Sequence, residues 1–200
     1  NPEMWVSHET IYQYVYQDMS GQPELKSHFR HPRPHRRKRN GRKERREQIP
    51  GRNPIENRPA VVDEKVRIGD WEGDTVEGAG KTAYIAAFAG KTSKLLEAKV
   101  MPNKAAAALN RAAIRAFNPV PDDFIKTITF DNGKEFSGRK ALAAALGCGI
   151  YFAHPYHSWE RGLNEHTNGL IRQYLPKRTS FDNLTRRQLD RITAKINSIY

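Results

Sequence analysis

Five prolines, Pro32, Pro34, Pro50, Pro54 and Pro59, punctuate a strongly basic stretch that runs from residue 30 to residue 60. Proline fixes φ and removes a backbone donor, so this stretch forms neither a continuous helix nor a central strand. It divides the chain, and a sizeable core has to be built from the residues that follow. Between Arg30 and Arg52, eleven Lys and Arg side chains face only Glu44 and Glu47, a local +9 in a chain of net charge +12. A basic block without regular structure is a clamp for a polyanion, because neutralising phosphates releases counterions without reading bases. The plainer alternative is a solvated tail. Arg36, Arg37, Lys38 and Arg39 form the densest run and are the first candidates for phosphate contact.

Ahead of this block, Ser7 is a candidate N-cap, and Ile11, Tyr14 and Val15 follow at helical spacing. The short helix they predict opens on Ser7-His8-Glu9-Thr10, polar enough to face a groove. An amphipathic packing helix explains the same residues.

After residue 60 the composition turns globular. Ile68 to Val76, Thr82 to Ala89 and Lys94 to Met101 read as three strands of an antiparallel meander. Asn103 is the expected cap of a helix carrying Leu109, Ala113, Ala116 and Phe117 on one side and stopped at Asn118-Pro119. Ile125 to Phe130 is a fourth strand. An alanine-rich helix follows, capped by Ser137 and closed by Gly147. Ile150 to Ala153 is a short buried strand, and a helix from Ser158 to Pro176 comes next. This order predicts an α/β fold, a mixed five-stranded sheet with helices on both faces. We expect residues 1–29 to be one helical region, 30–60 a linker and 61–200 the globular core.

The fourth strand ends in Asp131-Asn132-Gly133, residue types that tolerate positive φ in a turn, so Asp131 is offered at the mouth of the sheet. Glu165 follows after 33 intervening residues. On its helix Leu163, Leu170, Ile171 and Tyr174 can pack on the sheet. Arg161, Gly162, Glu165, Asn168, Gly169 and Arg172 share the other side, where two glycines leave room for a bulky partner. A third carboxylate is expected from Asp70, Glu72 and Asp74, which alternate onto one side of the first strand. Asp70 and Asp74 stand about 13 Å apart at ~3.3 Å per residue, too far to share one site, and spacing alone does not choose between them. Three such carboxylates suit a pair of divalent cations. Structural acids on a solvated face are the bland reading.

The single cysteine, Cys148, excludes an internal disulfide framework and suits a reducing compartment. With His154 and His157 it lacks the second ligand pair of a structural zinc module, so the histidines are read as lining a surface loop. No apolar run is long enough to span a bilayer, and no signal peptide is recognisable, so we expect a soluble cytoplasmic protein and no membrane partner. Asn1 in place of Met, and helical patterning up to Tyr200, lead us to expect a fragment truncated at its C-terminus.

Taken together, Trp71-Glu72-Gly73-Asp74, Asp131-Asn132-Gly133 with Glu135-Phe136, and Asn164-Glu165 followed by Asn168-Gly169-Leu170-Ile171-Arg172-Gln173-Tyr174-Leu175-Pro176-Lys177 resemble the catalytic signature of the retroviral-integrase superfamily. More narrowly, the chain resembles DDE transposases of the insertion-sequence-thirty family of bacterial mobile elements. Ser7 to Tyr12 also resembles the end of that family's helix-turn-helix region. The resemblance implies a ribonuclease H-like fold and an acidic triad of Asp74, Asp131 and Glu165 that binds Mg²⁺, or Mn²⁺, and it selects Asp74 over Asp70. It implies metal-dependent DNA cleavage at element ends and strand transfer into target DNA. It further implies DNA contacts through Arg161, Asn168, Arg172 and Lys177, a homodimer or higher oligomer for the full-length protein on DNA, and work at the bacterial nucleoid. A nuclease of the same fold without strand transfer, and a noncatalytic DNA-binding protein, are the competing readings.

Overall fold

A sheet of five strands carries the molecule, in the order β3-β2-β1-β4-β5, with β1 Asp70–Glu77, β2 Tyr84–Gly90, β3 Leu96–Met101, β4 Thr127–Phe130 and β5 Gly149–Phe152. The first three strands pair antiparallel as the expected meander, and β4 and β5 add in parallel to β1. The computed structural model describes residues 6–16, 23–29, 49, 51–155 and 157–199. The chain divides into two units, Asn1–Arg46 and Glu47–Tyr200. Arg36, Arg37, Lys38 and Arg39 lie outside the described residues.

In the first unit, α1 (His8–Tyr16) is capped as expected, Ser7 Oγ accepting the Thr10 amide at 3.1 Å. Tyr12 and Tyr16 pack on Phe29 with ring centroids 4.9 and 5.7 Å away. Of the expected apolar stripe, Val15 is buried while Ile11 and Tyr14 are exposed.

In the second unit the core begins earlier than residue 61. Ile49 is buried with the main cluster, Pro54 bridges to Phe152, and the Phe152 amide donates to Asn53 O at 2.9 Å. A single helical turn, α2 (Val61–Glu64), leads into β1. Parallel strands need crossovers, and α3 (Ala106–Phe117) and α4 (Arg139–Leu146) supply them on one face of the sheet. Ala108, Ala112, Ala113 and Ala116 are all buried, so α3 lies close to the strands and to Trp71, Phe88 and Phe130. The other face is covered by α5 (Gly162–Tyr174) and α6 (Arg186–Asn197), whose Ile171, Leu189 and Ile196 pack on Val76, Ile85, Ala87 and Leu96. Every residue of β2 is buried, as expected for a central strand with helices on both sides.

Three helix starts differ from expectation. Asn103 caps nothing: its side chain accepts the Ala105 amide at 3.1 Å in a local turn, and Ala105 is the N-cap of α3. Ser137 and Ser158 each lie inside a 3₁₀ turn that precedes α4 and α5, so Gly138 and Arg161 occupy the cap positions. The C-terminal expectation for α4 holds, with Gly147 in the left-handed region at φ 61°.

Gly73 sits where β1 meets β4, and a Cβ there would stand 2.2 Å from Phe130 Cε1. Phe130 cannot retreat, being buried and stacked on Phe136 at 4.2 Å. Gly73→Ala is therefore expected to cost at least the ~1–3 kcal/mol typical of core overpacking, read as a lower urea midpoint. An unchanged midpoint would show that the ring can yield.

Candidate active site

The parallel register brings the first two acids together. Glu72 pairs with Thr129; two residues further on, Asp74 still lies in β1 and Asp131 just past the end of β4, close enough that one guanidinium, that of Arg161, reaches both. In open α/β sheets this edge is where ligands bind. Asp131 Oδ1 accepts the Gly133 amide at 2.9 Å, which closes the turn without the positive φ expected there, since Gly133 sits at φ −66°. A Cβ at Gly133 would lie 2.5 Å from the Glu135 carboxylate, so that side chain would have to shift to admit it. Asn132 braces the same turn, accepting from Arg52 and donating to Ala153 O at 2.7 Å.

Asp74 Oδ1 accepts the Thr75 amide at 2.8 Å, and its Oδ2 accepts Asn168 Nδ2 at 2.7 Å. Burial pushes its carboxyl above the ordinary range, opposed by Arg161, Asn168 and the Thr75 amide and reinforced by Asp131. Arg161 reaches both acids, Nη1 at 4.0 Å from Asp74 and Nη2 at 3.5 Å from Asp131. Glu165 is exposed in the first turn of α5. Arg161 and Asn168 precede and follow it by four and three residues, the spacing of one helix face, so that face of α5 is turned to the acidic pair.

Asp70 has a different occupation. It is 2% exposed, takes Arg67 in a bidentate pair at 2.8 and 2.9 Å, and accepts Thr127 Oγ1 at 2.7 Å. Its oxygens are committed to holding β1 to β4. Glu72, also buried, pairs with Lys91 at 3.5 Å and accepts the Asn164 amide at 3.2 Å, so it anchors the start of α5.

The expected division of α5 is corrected by these contacts. Tyr174 is exposed, whereas Asn164 and Thr167 are buried, because β1 offers polar partners such as Glu72 and Gly73 O. The side expected to meet DNA is largely engaged within the protein. Arg161 and Asn168 hold the acids, and Arg172 donates to Glu77 O at 2.7 Å and stacks over Phe181. Lys177 is exposed, and a Cβ on Gly162 or Gly169 would meet nothing within 4 Å.

Two polar neighbours have a part that the sequence pattern did not assign. Glu135, buried, accepts Thr75 Oγ1 at 3.1 Å and pairs with Lys104 at 3.0 Å. Its position four residues after Asp131, next to a core Phe136, was the available signal. Glu160 is the other. His154 has Nδ1 on Glu160 and Nε2 on Glu56, and the Glu160 hydrogen bond, then that to Glu56, raises its pKa. Among the described residues, His154, His157 and Glu160 are the group whose donor atoms lie within 4.8 Å of one another; Asp74, Asp131 and Glu165 are spread more widely. Cys148 takes no part in that group, and burial pushes its thiol up to about 11.

Asp74, Asp131 and Glu165 offer only hard oxygen donors, and a guanidinium already stands beside two of them, so the surroundings tolerate positive charge. The donor set fits Mg²⁺ or Mn²⁺ in chemistry. Among the described residues, no helix is long and apolar enough to cross a membrane.

Sequence comparison finds transposase relatives. The transposase of insertion sequence element IS4351 from Bacteroides fragilis is 39% identical over 193 residues, covering 96% of this chain and 59% of that protein. This chain is homologous to the IS30-family transposases. Transposase InsI of IS30A from Escherichia coli K12 is 33% identical over 201 residues, 96% of this chain and 51% of its own length. The transposase of IS1086 from Cupriavidus metallidurans is 34% identical over 198 residues, 98% of this chain and 58% of its own. The chain thus spans between half and three fifths of the length of these transposases. No family model matches it. The fold is the ribonuclease H-like fold of retroviral integrase cores. A chain of the simian T-cell lymphotropic virus intasome, in complex with PP2A regulatory subunit B56 gamma, superposes with TM-score 0.51 at 18% identity, over 64% of this chain and 46% of that one.

Proposed function

We propose that this chain is the catalytic core of a DNA transposase, in which Asp74, Asp131 and Glu165 hold Mg²⁺ or Mn²⁺. The observation that supports this reading is the convergence of Asp74 and Asp131 on one guanidinium, that of Arg161, with Asn168 of the Glu165 helix hydrogen-bonded to Asp74. When bound, the metal pair supplies neutralisation of the phosphodiester and a more reactive attacking oxygen, from water for cleavage or from a DNA 3′-hydroxyl for joining. The protein's part is positional. Asn168 and the Thr75 amide orient Asp74, the Asx turn orients Asp131, and Glu72 fixes the start of the helix that presents Glu165. No covalent protein intermediate is required. The deciding experiment is Mg²⁺-dependent cleavage and joining on DNA carrying the element's ends. Cleavage without joining would favour a nuclease of the same fold, and binding without either reaction a noncatalytic DNA-binding protein.

Residues 1–29 are read as the end of a DNA-recognition region, 30–60 as a phosphate clamp and 61–200 as the catalytic part. Changing Arg36, Arg37, Lys38 and Arg39 to glutamine is expected to weaken binding to unrelated DNA sequences by a similar factor. The log-log salt slope should flatten by roughly 0.9 for each phosphate that is no longer neutralised. A slope that does not move would leave the segment a solvated tail. Lys177 is retained as a DNA contact, with Arg161, Asn168 and Arg172 reaching DNA only if their present partners release them. Two ends cut and joined in concert call for at least a dimer of the full-length protein, acting on DNA in the bacterial nucleoid. The mass of that protein on paired ends tests this, and a monomer there refutes it.

A further inference from the structure

Among the described residues, Arg67 and Arg161 touch carboxylates of β1, and they do so in different ways. Arg67 makes a fork on Asp70 with both contacts at hydrogen-bond length, 2.8 and 2.9 Å. Arg161 spreads one guanidinium over two acids, 4.0 Å from Asp74 and 3.5 Å from Asp131, and neither contact reaches that length. Its side chain is 15% exposed, and its Nε and Nη1 are buried with no hydrogen-bond acceptor. An arginine kept for structure is normally satisfied, since buried donors without acceptors are costly and the bidentate fork is its strong geometry. Arg161 instead has the contacts of a counter-ion, sitting where two negative charges would otherwise face each other. Its backbone is the N-cap of α5, at the junction with the 3₁₀ turn, so its side chain can leave while the helix stays in place.

We propose that Arg161 is a displaceable counter-ion: it holds Asp74 and Asp131 together in the metal-free protein and is expelled when a divalent cation binds them. This rests on the reading of Asp74 and Asp131 as metal ligands. Metal loading and release of a cation are thereby coupled, and the freed guanidinium becomes available to a phosphate oxygen at the same edge of the sheet. Lys104 does not compete for the role, because it is paired with Glu135 at 3.0 Å.

The test is Mn²⁺ binding by calorimetry at fixed ionic strength, without DNA, on the unmodified protein, Arg161→Gln, Arg161→Lys and Asp131→Asn. Removing a unit positive charge about 4 Å from the ligands should tighten Mn²⁺ binding of Arg161→Gln by roughly tenfold or more. Arg161→Lys should stay near the unmodified affinity, and Asp131→Asn should lose binding. Mn²⁺ taken up by Arg161→Gln but not by the unmodified protein also supports the proposal. Equal or weaker binding by Arg161→Gln overturns it and makes Arg161 a fixed support, while loss in Asp131→Asn keeps the metal site intact as a reading. No Mn²⁺ bound by any of the four overturns both. If Arg161→Gln does not fold, the Arg161 Nε–H resonance of the unmodified protein decides. It should shift progressively as Mg²⁺ is added, and a resonance unmoved at saturation overturns the proposal.

Discussion

Asp131→Asn and Glu165→Gln are each expected to abolish Mg²⁺-dependent cleavage and joining together, with losses on the order of 10²–10³ or greater, by analogy with removal of one preorganised charge-stabilising group. Both reactions should fall together on the proposal that one metal pair serves both. Each change keeps the side-chain shape and removes one negative charge, so DNA binding should persist or tighten slightly. Asp131 tolerates the change structurally, since an amide oxygen can still accept the Gly133 amide. Asp70→Asn is the contrasting variant. It weakens the bidentate Arg67 pair and so costs stability, yet Asp70 stands at the opposite end of the strand segment from Asp74 and should leave chemistry intact in folded protein. Glu165→Gln cleaving and joining at the unmodified rate would sink the three-carboxylate mechanism. Loss of activity in Asp70→Asn with retention in Asp74→Asn would reassign the first acid.

Glu72→Ala is expected to destabilise the protein by about 3–5 kcal/mol, the usual consequence of stranding one member of a buried ion pair. Glu72 and Lys91 are 3% and 4% exposed and 3.5 Å apart. Without Glu72, the nearest remaining acid is Asp63, 3.9 Å from Lys91, largely exposed and already shared with Arg58. Burial, then the Arg58 charge, already holds the Lys91 pKa below its ordinary value, against the pull of Glu72 and Asp63. Removing Glu72 lowers it further. An ammonium with a depressed folded-state pKa binds its proton more tightly in the unfolded chain. Stability of the variant should therefore rise as pH increases through the window below the unfolded lysine value of ~10.4, and the deficit should narrow there. The urea midpoint at neutral and at alkaline pH measures both effects. Replacing both residues, as in Glu72→Met with Lys91→Met, should recover much of the loss, because no charge is then left buried alone. A neutral-pH midpoint unaffected by Glu72→Ala would mean that Lys91 is already deprotonated in the native state. The functional consequence lies in α5, whose first turn loses the acceptor of the Asn164 amide and with it part of what steadies Glu165.

The sequence by itself determined the five strands and the three helices between and after them, in order, because strand and helix periodicities are properties of short stretches. The buried run of β2, the alanine face of α3, the left-handed stop at Gly147 and the end of α5 before Pro176 all follow from neighbours in sequence. The 33 residues between Asp131 and Glu165 were equally plain. Tertiary structure decided what local pattern left degenerate. Asp70, Glu72 and Asp74 alternate identically along one strand, and only the parallel register with β4 and the approach of Arg67, Lys91, Asn164, Arg161 and Asn168 give them three different surroundings. Helix α5 turned Asn164 and Thr167 inward and Tyr174 outward because its polar partners lie some ninety residues away on β1. The same holds for Arg161, which composition marks only as one more basic residue on a basic chain. Its position over two carboxylates comes from strands and a helix that meet only when the chain has folded, since a charge's partners are set by distance in space rather than along the sequence.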